Sequence, residues 1–168
     1  MLKEVLYQKG NGNFSIISKS EVPKDVKVLP AVWQMKRKGD IKSRKVKKWK
    51  ARLNIDGSRT TKGVHYDQTH APVASWNSIR MLLNQTALHR WHTNHLDYVL
   101  AYPQAPVERD LYMKIPAGFE IENGKNLDYV LKIHCNIYGQ KQAGRVWNHY
   151  FVNKLVNELG FKQSKVDE

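Results

Sequence analysis

The stretch LDYVLAYPQAPVERDLYMKIPAGF, residues 96–119, contains an acidic side chain inside a short apolar run. The apolar residues around Asp97 predict a buried strand over residues 96–100, and Tyr102-Pro103 ends it, because proline removes a backbone donor and fixes its own φ. A carboxylate placed there costs stability unless it has a partner. Two interpretations remain open: Asp97 caps a turn or pairs with a nearby cation, or it binds a metal ion.

The sequence on either side of this stretch contains both strand and helix patterns. Apolar alternation predicts strands over residues 111–115 and 128–134. A helical apolar period predicts helices over residues 75–90, with Ser75 or Asn77 as the cap, and over residues 146–159, with Gly160 at the end. The first helix has an apolar stripe that is expected to pack, formed by Ile79, Leu82, Leu83 and Ala87. The irregular order of strands and helices predicts an α+β fold.

A strongly basic segment lies further upstream. Between residues 36 and 52 there are ten lysines or arginines and one acid, Asp40. Alternation predicts two strands, over residues 31–36 and 48–55, joined by a long solvated hairpin tip, and Asp56-Gly57 predicts the next turn. The second strand would have one apolar and one cationic face. Such a cationic face is either a solvated surface or a site for an anion.

Composition narrows the class of partner. The chain has 168 residues and a formal charge of +13, with 28 basic and 15 acidic side chains, which favours an anionic partner and above all nucleic acid. No apolar stretch approaches the roughly 20 residues needed to span a bilayer, so no membrane partner is expected. The single cysteine, Cys135, excludes an internal disulfide and is typical of a reducing compartment.

Several blocks of this sequence together resemble one family. The blocks are LDYVLAYPQAP, DLYMKIPAGF, NIYGQKQAGRVW at 136–147, PAVWQMKRK at 30–38, KWKARLNIDGS at 48–58 and YDQTHAPVASWNSIRMLL at 66–83. Taken in their order along the chain, across about residues 20–168, they are similar to the reverse transcriptase of copia-type (Ty1/copia) LTR retrotransposons. The resemblance implies an RNA-directed DNA polymerase that adds deoxynucleotides by two-metal phosphoryl transfer.

The resemblance also implies a division of the chain, namely the fingers and part of the palm of a right-hand polymerase. Residues 1–88 would form fingers, with the basic hairpin at about 31–56. Residues 89–116 would form the palm with its first catalytic strand. Residues 117–145 would return to the fingers, and residues 146–168 would begin a palm helix that is cut short.

Site residues follow from the same resemblance. Asp97 would be the catalytic carboxylate that binds metal, with two Mg²⁺ ions in the complete domain. Lys50 and Arg52 would hold the triphosphate of the incoming nucleotide, and Tyr102 would exclude a ribose 2′ hydroxyl once the chain turns at Pro103. Gln142 would line the nucleotide pocket. The remaining candidates would contact nucleic acid: Lys36, Lys38, Lys45, Lys47 and Lys48.

The sequence departs from the family at two places. Many members have Asp-Val-Lys and Phe-Leu-Asn-Gly where this chain has Asp97-Tyr98-Val99 and Tyr102-Pro103-Gln104-Ala105, which indicates a divergent branch. The Tyr-x-Asp-Asp segment, which supplies the other catalytic carboxylates, does not occur in the 168 residues. We therefore expect an N-terminal fragment that is inactive alone. The alternatives are a nucleic-acid-binding remnant without catalysis and a non-functional pseudogene product.

The expected partners are an RNA or DNA template-primer and deoxynucleoside triphosphates. The resemblance further implies a parent polyprotein with the rest of the palm and with RNase H and integrase regions. An active element would place the protein inside the cell, in the cytoplasm or in a virus-like particle.

Overall fold

The computed structural model describes residues 1–40, 43, 45–121, 126–165 and 167. The helices are α1 (Leu2–Gly10), α2 (Trp76–His89) and α3 (Ala143–Asn153), and a π-helical turn over Lys154–Glu158 directly follows α3. The strands are β1 (Phe14–Ser18), β2 (Ala31–Gly39), β3 (Val46–Ile55), β4 (Pro106–Lys114) and β5 (Tyr129–Cys135). The first helix and first strand have no counterpart in the sequence predictions.

The strands form two antiparallel sheets. One sheet has the order β1-β5-β4, and the other is the β2-β3 hairpin. Antiparallel sheets with helices outside them confirm the predicted α+β class. The predicted hairpin is also confirmed, and its strands extend to Gly39 and Val46, so the tip is shorter than predicted. Part of that tip, residues 41, 42 and 44, lies outside the described residues.

The base of the hairpin is anchored in the hydrophobic core. Leu53 and Ile55 of β3 are almost fully buried, and Leu29, just before β2, exchanges backbone hydrogen bonds with β4. The buried core cluster consists of Val5, Phe14, Leu29, Leu53, Ile55, Leu111, Met113, Phe119, Leu131, Ile133 and Ile137. Because the core stops at Leu53, the cationic half of the hairpin extends into solvent from a fixed base.

The predicted strand over residues 96–100 is wrong. Residues 91–98 have no regular structure, and Val99 and Leu100 form a turn in which Leu100 has a φ of +54°. A left-handed residue interrupts an extended chain, and no described strand pairs with this segment. The turn predicted for Pro103 is present, since a 3₁₀ helix covers Tyr102–Gln104. The family-derived palm boundaries around it stay a prediction.

The second helix forms as predicted but does not pack as predicted. Ser75 caps α2, with the Ser78 backbone amide donating to Ser75 Oγ at 3.1 Å. No residue of α2 is buried, however, and Leu82 and Leu83 are 60% and 58% exposed. Among the described residues, no element buries the apolar stripe.

The other predicted elements are present with shifted ends. Strand β4 begins at Pro106, before the predicted residue 111, and Gly160 adopts a φ of +71° after the π-helical turn. Across the part of the chain that the structure describes, no helix is both long and apolar enough to traverse a membrane.

Candidate functional site

The cationic side chains of the hairpin line a groove between its two strands. This hairpin groove, of about 130 Å³, is formed by Gln34, Lys36, Lys38, Lys50 and Arg52. The strand register places Lys36 opposite Lys50 and Gln34 opposite Arg52. Both candidate triphosphate residues and two of the five candidate nucleic-acid residues therefore share one concave surface.

The charges in the hairpin groove repel one another. The guanidinium of Arg52 lowers the pKa of Lys50 below its usual value, and desolvation and Lys38 lower it further. Like charges directly opposite in an antiparallel pair destabilise the pair. An anion in the groove would relieve this repulsion, so the arrangement favours binding of a group with several negative charges.

The other hairpin lysines lie towards the tip. Lys45, Lys47 and Lys48 are exposed, and Lys48 lies opposite Lys38. The ammonium of Lys47 lies 2.6 Å from a carboxylate oxygen of Asp40. An exposed pair of this kind contributes little stability, so Lys47 stays available to a polyanion.

One tyrosine that the sequence did not single out contacts two of the predicted residues. The Arg52 guanidinium carbon lies 5.0 Å from the centroid of the Tyr138 ring, and the Tyr102 ring centroid lies 5.4 Å from that of Tyr138. Arg52 and Tyr102 are thus neighbours through Tyr138. The sequence signal that could have pointed to it is Tyr138-Gly139, an aromatic residue followed by a glycine shortly after the end of β5.

Tyr102 also lies beside a glycine of α3, Gly144. A Cβ added at Gly144 would lie 3.8 Å from the Tyr102 hydroxyl. The ring of Tyr102 is half-buried, in the 3₁₀ helix that follows the turn at Leu100. The first turn of α3 therefore bounds the space in which Tyr102 sits.

Gln142 lies immediately before α3 and is buried. Its side-chain amide donates to the backbone carbonyl of His65 at 3.4 Å, and within the described chain its Oε1 has no partner. His65 in turn accepts a hydrogen bond at Nδ1 from the Thr61 backbone amide at 2.9 Å. The observed contacts of Gln142 are with the 61–65 loop, and its role in a nucleotide pocket stays a prediction.

Two arginines hold the loop that contains His65. Arg109 donates to the carbonyls of Gly63 and Val64, at 2.7 and 3.0 Å. Arg145 of α3 donates to the Gln68 carbonyl at 3.1 Å and pairs with Glu108. The loop is therefore fixed between β4 and α3.

Asp97 is exposed, in the irregular segment before the turn. The next residue attaches this segment to α3, because the Tyr98 ring packs 5.4 Å from Trp147 and 4.8 Å from Phe151. Asp97 has no hydrogen bond or ion pair with any described residue. Nowhere in the described ranges do three His, Cys, Asp or Glu side chains gather as a metal would require. The metal role of Asp97 therefore stays a prediction.

Comparison with known proteins identifies relatives along nearly the whole chain. Residues 13–168 match the model of the family described as reverse transcriptase (RNA-dependent DNA polymerase). The chain is 32% identical over 164 residues to the retrovirus-related Pol polyprotein from transposon TNT 1-94 of Nicotiana tabacum. It is 30% identical over 167 residues to that from transposon RE1 of Arabidopsis thaliana.

These matches cover 96% and 99% of this chain but only 12% and 11% of the two polyproteins. No solved structure matches. The match to the family model over residues 13–168, together with the two polyproteins, shows that this chain belongs to the reverse transcriptase (RNA-dependent DNA polymerase) family of retrotransposon Pol polyproteins.

Proposed function

We propose that this chain supplies the nucleotide-binding surface of an RNA-directed DNA polymerase, with the hairpin groove as the site for the triphosphate. The observation that carries the proposal is the like-charged face on which Lys36 lies opposite Lys50 and next to Arg52. A folded hairpin would be more stable without these charges facing each other. A bound triphosphate turns that repulsion into attraction.

The chemistry of the groove suits phosphoryl transfer. The guanidinium of Arg52 offers a planar set of donors to phosphate oxygens, and the ammonium of Lys50 offers a compact positive charge. Negative charge spreads over the phosphate oxygens during transfer, and fixed cations stabilise it there. These two residues would bind the incoming deoxynucleoside triphosphate and orient it.

Tyr102 supports selection of the sugar. Its ring is placed by the turn at Leu100 and lies next to Tyr138, which contacts Arg52. A nucleotide held at Arg52 by its phosphates would bring its sugar towards this pair of rings. A flat ring at that position excludes a 2′ hydroxyl by contact.

We also propose that the chain does not complete the reaction alone. Asp97 supplies one carboxylate, and the described residues do not gather the further ligands that a pair of Mg²⁺ ions would need. In the complete polymerase, Asp97 would share metal binding with carboxylates that these described residues do not supply. The fingers and palm assignments belong to this same proposal.

A second candidate function is binding of a template-primer without nucleotide selection. The exposed lysines towards the hairpin tip, Lys45, Lys47 and Lys48, favour it. Such binding would be electrostatic and would weaken steeply with salt. Both functions can coexist on one hairpin, because the groove and the tip lysines are different parts of it.

The affinities for two different ligands distinguish these two functions. The affinity of the chain is measured for dATP and for a primer-template duplex at one fixed salt concentration. We expect Lys50→Ala with Arg52→Ala to abolish dATP binding and to leave most of the duplex binding. The matched control is Lys9→Ala with Lys162→Ala, which removes the same charge at two exposed positions elsewhere. If Lys50→Ala with Arg52→Ala reduced the affinity for dATP and for the duplex equally, binding of a template-primer without nucleotide selection would be favoured.

A further inference from the structure

The loop after β5 is tied closely to the end of β3. The Ile55 backbone amide donates to the Tyr138 carbonyl at 2.9 Å, and Asn54 and Tyr138 form an isolated parallel bridge. Gly139 lies so near β3 that an added Cβ would be 2.1 Å from the Ile55 carbonyl oxygen. The backbone of Tyr138 is therefore fixed relative to the strand that carries Arg52.

The ring of Tyr138 fixes Arg52 without neutralising it. Among the described residues, Arg52 makes no salt bridge and no side-chain hydrogen bond. Its guanidinium instead makes a cation–π contact with the Tyr138 ring, at 5.0 Å from the ring centroid. A carboxylate partner would occupy the guanidinium donors and cancel the charge. An aromatic face attracts the cation through its quadrupole and leaves the N–H edges free.

The same ring contacts Tyr102 at 5.4 Å with an angle of 55° between the ring planes. A single side chain thus lies against the candidate phosphate-binding cation and the candidate sugar-selecting ring. Tyr138 is half-buried, so it can shape a pocket that remains open to solvent.

We propose that Tyr138 is the positioning residue of the nucleotide pocket, which orients the Arg52 guanidinium towards the triphosphate and forms a wall with Tyr102. This proposal rests on the proposed function of the hairpin groove. Tyr138 would act on the triphosphate by orienting Arg52, so the effect of a Tyr138 substitution on triphosphate affinity should depend on the presence of Arg52.

The test is a cycle of variants in the full chain, read out as affinity for dATP and for inorganic triphosphate. We expect Tyr138→Leu to weaken binding of both about fivefold and Tyr138→Phe to keep it within about twofold, since the face of the ring is retained. In an Arg52→Ala background, Tyr138→Leu should have no further effect on inorganic triphosphate. The control Tyr150→Leu removes a half-buried tyrosine whose ring lies 5.7 Å from the Lys154 ammonium, and it should leave both affinities unchanged.

A second variant keeps the test valid if Tyr138→Leu disturbs folding. Pentafluorophenylalanine at position 138 keeps the size of phenylalanine but removes the attraction between ring and cation, and it should weaken triphosphate binding relative to Tyr138→Phe. Equal affinities for these two rings would overturn the role of Tyr138 and leave the groove intact. If Arg52→Ala itself left triphosphate affinity unchanged, the proposed function would be wrong, and this inference with it.

Discussion

The glycine after Tyr138 allows a very close approach of two backbone segments near the candidate site. Gly139 has a φ of +91°, and a Cβ there would lie 2.1 Å from the Ile55 carbonyl oxygen, well inside the 3.0 Å below which such contacts essentially do not occur. The substitution Gly139→Ala should therefore push the loop away from β3. Gly12→Ala is the matched control, because Gly12 has a φ of +69° with nothing within 4 Å of the added Cβ.

Both substitutions place an alanine in a left-handed backbone conformation, but only Gly139→Ala should also break a hydrogen bond. A left-handed alanine costs roughly 1–2 kcal/mol in either place. At Gly139 the displaced loop should also lose the hydrogen bond from Ile55 to Tyr138, worth about 1 kcal/mol. We expect a free energy of unfolding lower by about 1–2 kcal/mol for Gly12→Ala and lower by about a further 1 kcal/mol for Gly139→Ala.

Urea and thermal unfolding followed by circular dichroism measure this difference. At about 2–4 °C per kcal/mol for a domain of this size, Gly12→Ala should melt roughly 2–8 °C lower than the parent chain, and Gly139→Ala should melt about a further 2–4 °C lower. Equal shifts for the two variants would show that the loop does not press against β3. That result would refute the fixed position of Tyr138 as well.

Three further predictions concern the surroundings of the site. Arg145→Ala should lower the unfolding free energy by roughly 1–3 kcal/mol and speed proteolysis of the 61–70 loop, because the loop loses a hydrogen bond to its backbone. In urea unfolding, Leu82→Ala should change stability by less than about 0.5 kcal/mol and Leu131→Ala should cost about 2–5 kcal/mol, since one side chain is exposed and the other fully buried. The hydrogen bond from Ser58 lowers the pKa of Asp56 in the folded protein. The ionised Asp56 therefore stabilises the fold above the pKa that it has in the unfolded chain, and this contribution is lost as the pH falls through its lower folded pKa. Ser58→Ala should reduce that loss, as measured by urea midpoints across the acid range.

The hairpin and its cationic face could be predicted from the sequence because their pattern is local. Alternation places Lys50 and Arg52 on one face and Leu53 on the other, whatever the rest of the chain does. The capping of α2 by Ser75 is local in the same sense, since it needs only the next three residues.

The failures arose where tertiary context decides. The apolar run around Asp97 predicts a strand, but a strand needs a pairing edge, and Leu100 instead turns with a positive φ. The apolar stripe of α2 predicts packing, but a helix buries a face only where another element meets it. Tyr138 was missed because its importance lies in contact with Arg52, 86 positions earlier in the chain, which no local pattern shows.

The pKa of Lys50 tests the central claim most directly, because it reports the charge at one point of the hairpin groove. The protein is labelled with ¹³C-lysine, and the pKa is followed by NMR with and without saturating dATP, with Lys9 as a reference outside the groove. In the free chain we expect the pKa of Lys50 to lie below the usual value for a lysine, because Arg52 lowers it. Bound triphosphate should raise the pKa of Lys50 and leave the NMR signals of Lys9 unchanged. A Lys50 pKa that dATP does not change, while other lysines respond, would contradict triphosphate binding in the groove.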